Sequence, residues 1–365
     1  MSATVDEVHE SGVGNELDVT GEERLYQALH RFWHPVAYAA DVAPGPTGAT
    51  LLERPLVLAR LDGQVRAFAD ACLNRGVALS IGRVEDGTLR CVHDGWAYGP
   101  DGRCVSVPGR EPSEIPERAR LRSYRVEERV GLVWVCLDPE PLFPIPEFPE
   151  FGDPAFRTAT VPAYDWKASA TRRVENFVDF AHFAWIHDGV LASREHPEVP
   201  EHEVWRDGAE LRFQITVPEP ARNEKTSTME VDSQDPTVPG ERNYRLTMPF
   251  TVWLQQRFPG GNEYVIFMSC SPLGRKTCRS FTFNARNFAL DEDDARYVRF
   301  QQEIVEADRV ISESQRPEEL PVDLTIELHV RGVDHVSIEY RRWLIELMKA
   351  YGPPAPDAAP AGAAG

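Results

Sequence analysis

The chain has 365 residues, 42% hydrophobic and 10% aromatic, enough apolar material for one large domain or two ordinary ones. Its 8 Trp, 17 Phe and 10 Tyr exclude a chain that never buries a core. With 58 acidic against 39 basic residues the net charge is −19, which excludes the basic footprint a nucleic-acid binder needs and disfavours an anionic membrane surface.

The first residues, MSATVDEVHE, are acidic and lack the apolar run of a signal peptide, and no stretch reaches the roughly 18 apolar residues of a membrane span. The expected location is cytoplasmic, and residues 1–22 read as a flexible lead. ERLYQALHRFW (23–33) fits a short amphipathic helix. Short apolar runs cut by turns follow: PLVLAR (55–60), Asp62-Gly63, QVRAFAD (64–70), TLRCVH (88–93), Asp101-Gly102, RCVSVP (103–108) and GLVWVCL (131–137). Asp-Gly between alternating apolar runs signals hairpins, so residues 23–140 are expected to form a small all-β domain. The proline-rich stretch 138–154 reads as a linker.

Residues 141–351 mix helical periods (171–187, 291–316, 335–351) with β-like runs over 203–286, which predicts an α+β domain with an antiparallel sheet and helices. The tail 352–365 is low-complexity and is expected to be disordered. Six cysteines do not make a disulfide framework in a cytosolic chain of this size; Cys104, Cys136, Cys270 and Cys278 read as small buried side chains.

The segment ENFVDFAHFAWIHDG (175–189) carries the chemistry. Asn176, Asp179 and His182 are spaced by three and are expected on one helix face. His187, five residues on, falls about 140° away on a regular helix. A π-type widening, or an end to the helix near Asp188-Gly189, is needed to bring both imidazoles to one ion. Two His and a carboxylate form the facial triad that holds iron(II) with open positions. The candidate carboxylate is Asp308, set among Ile304, Val305, Ala307, Val310 and Ile311 where an unpaired charge is costly; Glu306 and Glu303 are the competitors. Phe183 and Trp185 are expected in the pocket wall.

The pattern Asn-x-x-Asp-x-x-His-x-x-x-x-His resembles the iron motif of the α subunits of Rieske-type aromatic-ring-hydroxylating oxygenases, and residues 301–317 resemble that family's helix with its iron-binding Asp. The resemblance covers roughly residues 23–350. It implies a Rieske-like β domain before a catalytic domain, mononuclear Fe(II) on His182, His187 and Asp308, Asp179 as the carboxylate that passes electrons between subunits, and Asn176 in support. It further implies a small organic substrate, O2, a ferredoxin and reductase as electron donors, and a trimer in which one subunit's cluster serves its neighbour's iron.

The family's [2Fe–2S] ligands follow Cys-x-His and Cys-x-x-His-Gly-Trp. Here the segments read Cys72-Leu73-Asn74-Arg75-Gly76 and Cys91-Val92-His93-Asp94-Gly95-Trp96, so neither histidine is in place, and His93 sits one residue early. The leading expectation is a domain that keeps its fold without a cluster. The alternatives are an unusual cluster or zinc site on Cys72, Cys91 and His93 or Asp94, or an altered copy of an ordinary enzyme. An intact iron motif beside lost cluster ligands points to electrons from a cluster-bearing paralogous α subunit in a hetero-oligomer. A non-catalytic scaffold subunit and a non-redox enzyme reusing the pocket are the alternative functions.

Overall fold

The computed structural model describes residues 19–42, 44–220 and 237–353; most of the lead and nearly all of the tail lie outside them. Among the described residues no helix is long and apolar enough to cross a membrane. The first helix, α1 (Val19–Ala28), starts inside the expected lead and continues as a 3-10 turn to Arg31. Strands β1 (His34–Tyr38), β2 (Thr47–Leu51), β3 (Arg54–Leu61) and β4 (Gln64–Ala69) come next. The short β5 (Arg83–Glu85), β6 (Thr88–Arg90), β7 (Ala97–Tyr98) and β8 (Cys104–Ser106) follow, then β9 (Ser123–Arg129) and β10 (Leu132–Cys136). They build a six-stranded sheet in the order β1-β10-β9-β4-β3-β2 and a four-stranded sheet β5-β6-β7-β8. Asp62-Gly63 makes the β3–β4 hairpin, with both residues at positive φ.

The second unit has one seven-stranded antiparallel sheet in the order β11-β17-β16-β15-β14-β13-β12. Its strands are β11 (Arg157–Trp166), β12 (Glu203–Asp207), β13 (Glu210–Pro220), β14 (Thr237–Thr247), β15 (Thr251–Arg257), β16 (Glu263–Gly274) and β17 (Thr277–Arg286). Between β11 and β12 lie α2 (Ala170–Val178) and α3 (Phe183–Ile186); α4 (Ala295–Ser312) and α5 (His335–Tyr351) come after the sheet. The two units are therefore an all-β N-terminal part and an antiparallel sheet with helices, an α+β protein.

The joint between the units is packed. Tyr38 on β1 donates from its hydroxyl to the Val161 carbonyl at 2.6 Å and accepts the Thr282 N–H at 2.9 Å. Around it Trp134, Phe148, Phe267, Phe281 and Phe283 form one apolar cluster that includes the proline-rich linker. Gly131, at φ +73°, turns β9 into β10 where a Cβ would meet the Phe151 ring at 2.7 Å. Helix α2 closes over the sheet and carries the site segment at its C-terminal end.

Candidate metal centre

Ser169 caps α2, its hydroxyl accepting the Arg172 N–H at 3.2 Å. The helix then stops at Val178, and Asp179 is extended at φ −81°, ψ 129°. The expectation that Asn176, Asp179 and His182 share one helix face is corrected here. The chain leaves the helix at Asp179, well before Gly189, and re-enters a single turn, α3, with His182 before it and His187 after it. The Asp179 side chain supports this break. Its Oδ1 accepts the Ala181 N–H at 2.9 Å, a local side-chain–backbone bond that competes with helix continuation.

The break brings the imidazoles together. His182 and His187 have ring centroids 5.4 Å apart, and Asp308 reaches them from the buried side of α4. Asp308 Oδ1 lies 2.8 Å from His187 Nε2 and 3.5 Å from His182 Nε2. One ligand atom from each residue falls within 4.8 Å of the others, and among the described residues this is the one such group of three or more His, Cys, Asp or Glu. Glu306 is exposed and spent on Arg309, and Glu303 is exposed. Trp185 is 56% exposed, so the expected wall residue faces outward; Phe183 is buried.

The donor set fits a cation. Asp179 Oδ2 is 3.1 Å from His182 Nδ1, an acceptor for the Nδ1 proton that leaves Nε2 to face the other two side chains. That buried Nε2 has no hydrogen-bond partner. Burial opposes charge on His182, yet the carboxylates of Asp179 and Asp308 outweigh it and push the imidazole up to about 9. Burial also opposes charge on Asp308, and the two imidazoles overcome it, holding the carboxyl well below the usual carboxylate range.

Behind the centre runs an ionic network that sequence reasoning missed. Arg341 on α5 grips both Glu175 oxygens, at 2.5 and 2.8 Å, and shares Glu327 with Arg172, at 2.6 and 2.5 Å. Arg172, Arg173 and Arg341 are all buried. The available signal was TRRVEN, two arginines one turn ahead of the motif, and nothing in it distinguishes buried from exposed arginine.

In the N-terminal unit two tight loops face each other. Cys72 donates its N–H to Val77 and accepts from Gly76, each at 2.8 Å; Cys91 donates to Trp96 at 2.8 Å and accepts from Gly95 at 3.2 Å. Both thiols are buried, and Cys72 Sγ lies 3.2 Å from the Tyr98 hydroxyl. At the exposed tip Asn74 donates to Asp94 Oδ2 at 2.5 Å, and His93 Nδ1 meets the same oxygen at 2.8 Å. The donors at the tip are an amide, a carboxylate and a displaced imidazole that bind one another. Two imidazoles, the set a Rieske cluster uses, are not there. Cys104, Cys136, Cys270 and Cys278 are buried.

An all-β domain built on paired cysteine loops, joined to a helix-capped sheet with a His-His-Asp group, is the arrangement of a two-domain non-haem iron oxygenase. The sequence profile of the Rieske [2Fe–2S] domain matches residues 32–125, and that of the vanillate O-demethylase oxygenase C-terminal domain matches residues 166–350. The chain belongs to the Rieske-type non-haem iron oxygenases, as an α subunit. It is 34% identical over 344 residues to methylxanthine N1-demethylase NdmA of Pseudomonas putida, covering 92% of this chain and 93% of that protein. It is 33% identical over 339 residues to methylxanthine N3-demethylase NdmB of the same organism, covering 89% and 91%. The solved structure of Pseudomonas putida NdmA with caffeine superposes with a TM-score of 0.79 at 34% identity, over 90% of this chain and 93% of that one. Dicamba monooxygenase bound to dicamba shares the fold, with a TM-score of 0.74 at 22% identity, over 88% and 98%.

Proposed function

We propose that this chain is an oxygenase α subunit that oxidises a small organic substrate with O2 at iron(II) held by His182, His187 and Asp308, with its electrons supplied from outside the subunit. The observation that carries the reading is the convergence of those three side chains, with the unpartnered His182 Nε2 turned toward the other two ligands. Bound there, iron(II) supplies activation of dioxygen. The chain's own residues do the rest. Asp179 keeps the His182 proton on Nδ1, Asp308 balances the cation, and the Glu175–Arg341–Glu327–Arg172 network ties α2 and α5 to the segment between α4 and α5.

The N-terminal unit, on this reading, keeps the Rieske fold and carries no cluster. Asn74 and Asp94 stand where the two imidazoles are required, and a carboxylate would add negative charge to the site. A cluster-bearing paralogous α subunit in a mixed trimer, charged by a ferredoxin and reductase, then supplies the electrons. Asp179 is suited to receive them: its side chain is 32% exposed and touches His182.

For the substrate, the names of NdmA and NdmB favour an N-methylated heteroaromatic. In the balanced reaction the N-methyl group, one O2, two electrons and two protons give an N-hydroxymethyl group and one water. One oxygen atom enters the methyl C–H bond and the other is reduced to the water. The carbinolamine then breaks its C–N bond, releasing formaldehyde and leaving an N–H. The test has two parts. Purified protein is assayed for iron and acid-labile sulfide, with one iron per chain and no sulfide expected. It is then incubated with caffeine and theobromine, alone and co-purified with a cluster-bearing α subunit plus ferredoxin and reductase, and formaldehyde is measured. Formaldehyde only from the mixture supports the reading; two sulfides per chain, or full turnover by the isolated chain, overturns the division of labour.

A further inference from the structure

Arg173 is the one fully buried cation of α2 that the ionic network leaves out. It is 1% exposed, and none of the ion pairs among the described residues involves it. Its guanidinium lies 4.5 Å from the Trp166 ring centre, 5.3 Å from Phe177 and 5.8 Å from Tyr164. Only two of its nitrogens find partners: Nη2 donates to the Tyr164 hydroxyl at 2.9 Å, and Nη1 donates to Asn176 Oδ1 at 3.3 Å. Nε is buried with no partner. Burying a guanidinium on aromatic faces with no carboxylate in direct contact is costly; the Asp308 charge favours it from farther off, and the direct polar contacts are left to Tyr164 and Asn176.

The Asn176 contact has a consequence for the amide. A side-chain amide has one face that accepts and one that donates. With Oδ1 turned to a cation, the Nδ2 group must point the other way; the flipped amide would set donor against donor at Arg173. Asn176 lines a cavity of about 220 Å³ together with Asp179, His182, Asp308, Gln315 and His329, and the NH2 is the face of its amide left for that cavity. Asp179 and Asp308 bring only acceptors to it. Among the described residues Nδ2 of Asn176 has no partner.

We propose that Arg173 is a positioning residue that locks the Asn176 amide so that its NH2 donates into the cavity beside His182 and Asp308, where it meets an acceptor atom of a small exogenous ligand. The inference rests on the metal reading of the preceding subsection for the place where that ligand binds, and on the hydrogen bond alone for the amide's orientation.

Azide bound to the oxidised, iron-loaded full-length protein is the probe, followed by its optical charge-transfer band. Asn176→Asp keeps the Arg173 contact and the packing but replaces a donor with an acceptor, so azide should weaken by about tenfold while the melting temperature holds or rises. Asn176→Leu should weaken azide similarly. Arg173→Met should weaken it in the native background and add nothing in the Asn176→Leu background. If Arg173→Met does not fold, Tyr164→Phe, which frees one end of the guanidinium, should show the smaller loss in the same pattern. Azide affinity unchanged in Asn176→Asp, or an Arg173→Met effect that persists without Asn176, overturns the proposal. Protein that takes up no iron overturns the metal reading instead. The Arg173–Asn176 coupling is then read from a double-mutant cycle of metal-free melting temperatures, where coupling supports the lock and additivity overturns it.

Discussion

Asp308 Oδ1 lies 2.8 Å from His187 Nε2 across 121 residues of chain. Two distant elements, the end of α3 and the C-terminal part of α4, are thus joined at one buried polar point. A structure that spends a buried carboxylate on two imidazoles, one with an unpartnered nitrogen, is arranged for a cation.

Removing that carboxylate should strip the metal. Asp308→Ala is expected to lower iron occupancy at least tenfold, and His182→Ala and His187→Ala should do the same, with soluble, folded protein in each case. Glu306→Ala should leave iron unchanged, because Glu306 is exposed and pairs with Arg309. Metal analysis after desalting checks this, and full iron in Asp308→Ala would defeat the assignment.

The N-terminal unit should be colourless. Cys72 and Cys91 are ready, but Asn74 and Asp94 are bonded to each other at the tip. The protein purified without oxygen should lack the visible bands and acid-labile sulfide of a [2Fe–2S] centre. Asn74→His combined with Asp94→His restores the ligand set and should gain both on reconstitution. Colour and sulfide in the unaltered protein would refute the proposed loss.

Much of this was legible because it is local. The paired Cys loops and the spacing from Asn176 to His187 are contiguous strings, and Asp308 stands out as a charge among apolar neighbours. The helix break at Asp179 was not legible, since the residue satisfies helix spacing and its supporting bond to the Ala181 N–H forms only once the chain has turned there. Trp185 was misplaced for the same reason: a one-turn α3 turns it to solvent. Arg172, Arg173 and Arg341 were silent because burial of arginine depends on partners far along the chain, as Glu175 with Arg341 shows.

Glu327 should matter more to stability than its loop position suggests. It bridges Arg172 and Arg341, both buried, and Glu175 partners only part of that charge. Glu327→Gln leaves a buried guanidinium underpaired and should cost about 3 kcal/mol in chemical denaturation. Burial alone would raise the Glu327 carboxyl, but the two arginines hold it down at about 2. A folded pKa below the unfolded one gives stability that is complete above about 4.5 and lost as pH falls toward 2. Glu327→Gln should flatten that part of the acid-unfolding curve.

His34 sets a second pH window. It is buried, its Nε2 donates to the Leu29 carbonyl at 2.9 Å, and Nδ1 has no partner. Burial holds its pKa down at about 4. Below about 6.5 the unfolded chain takes a proton that the folded one refuses, so stability is complete above 6.5 and falls between 6.5 and 4, by about 3 kcal/mol in all. His34→Gln keeps a donor for Leu29 without the titration. Its denaturation midpoint should change less between pH 7 and pH 5 than that of the unaltered protein; equal slopes would remove His34 as the cause.

Asp179→Asn tests the residue that joins surface to site. The carboxylate uses one oxygen on the Ala181 N–H and the other on His182 Nδ1. An amide has a single oxygen, so one of those two donors must face an NH2 group. If the amide keeps Ala181, His182 must accept at Nδ1, which moves its proton to Nε2 and turns a donor toward Asp308 and the ion. If it keeps His182, the Ala181 N–H loses its partner and the turn that sets α3 loosens. In both cases iron affinity should fall 10–100-fold, the usual cost of losing the group that orients a ligand histidine. Turnover in the proposed mixed oligomer should fall further, to background even at saturating iron, because the contact between surface and His182 is altered as well. Asp179→Glu, which preserves both acceptor oxygens, should recover iron affinity more than turnover. Iron titration followed by single-turnover assay at saturating iron separates the two effects. Full turnover of Asp179→Asn once iron is restored would leave Asp179 as a support for His182 alone, with no part in electron delivery.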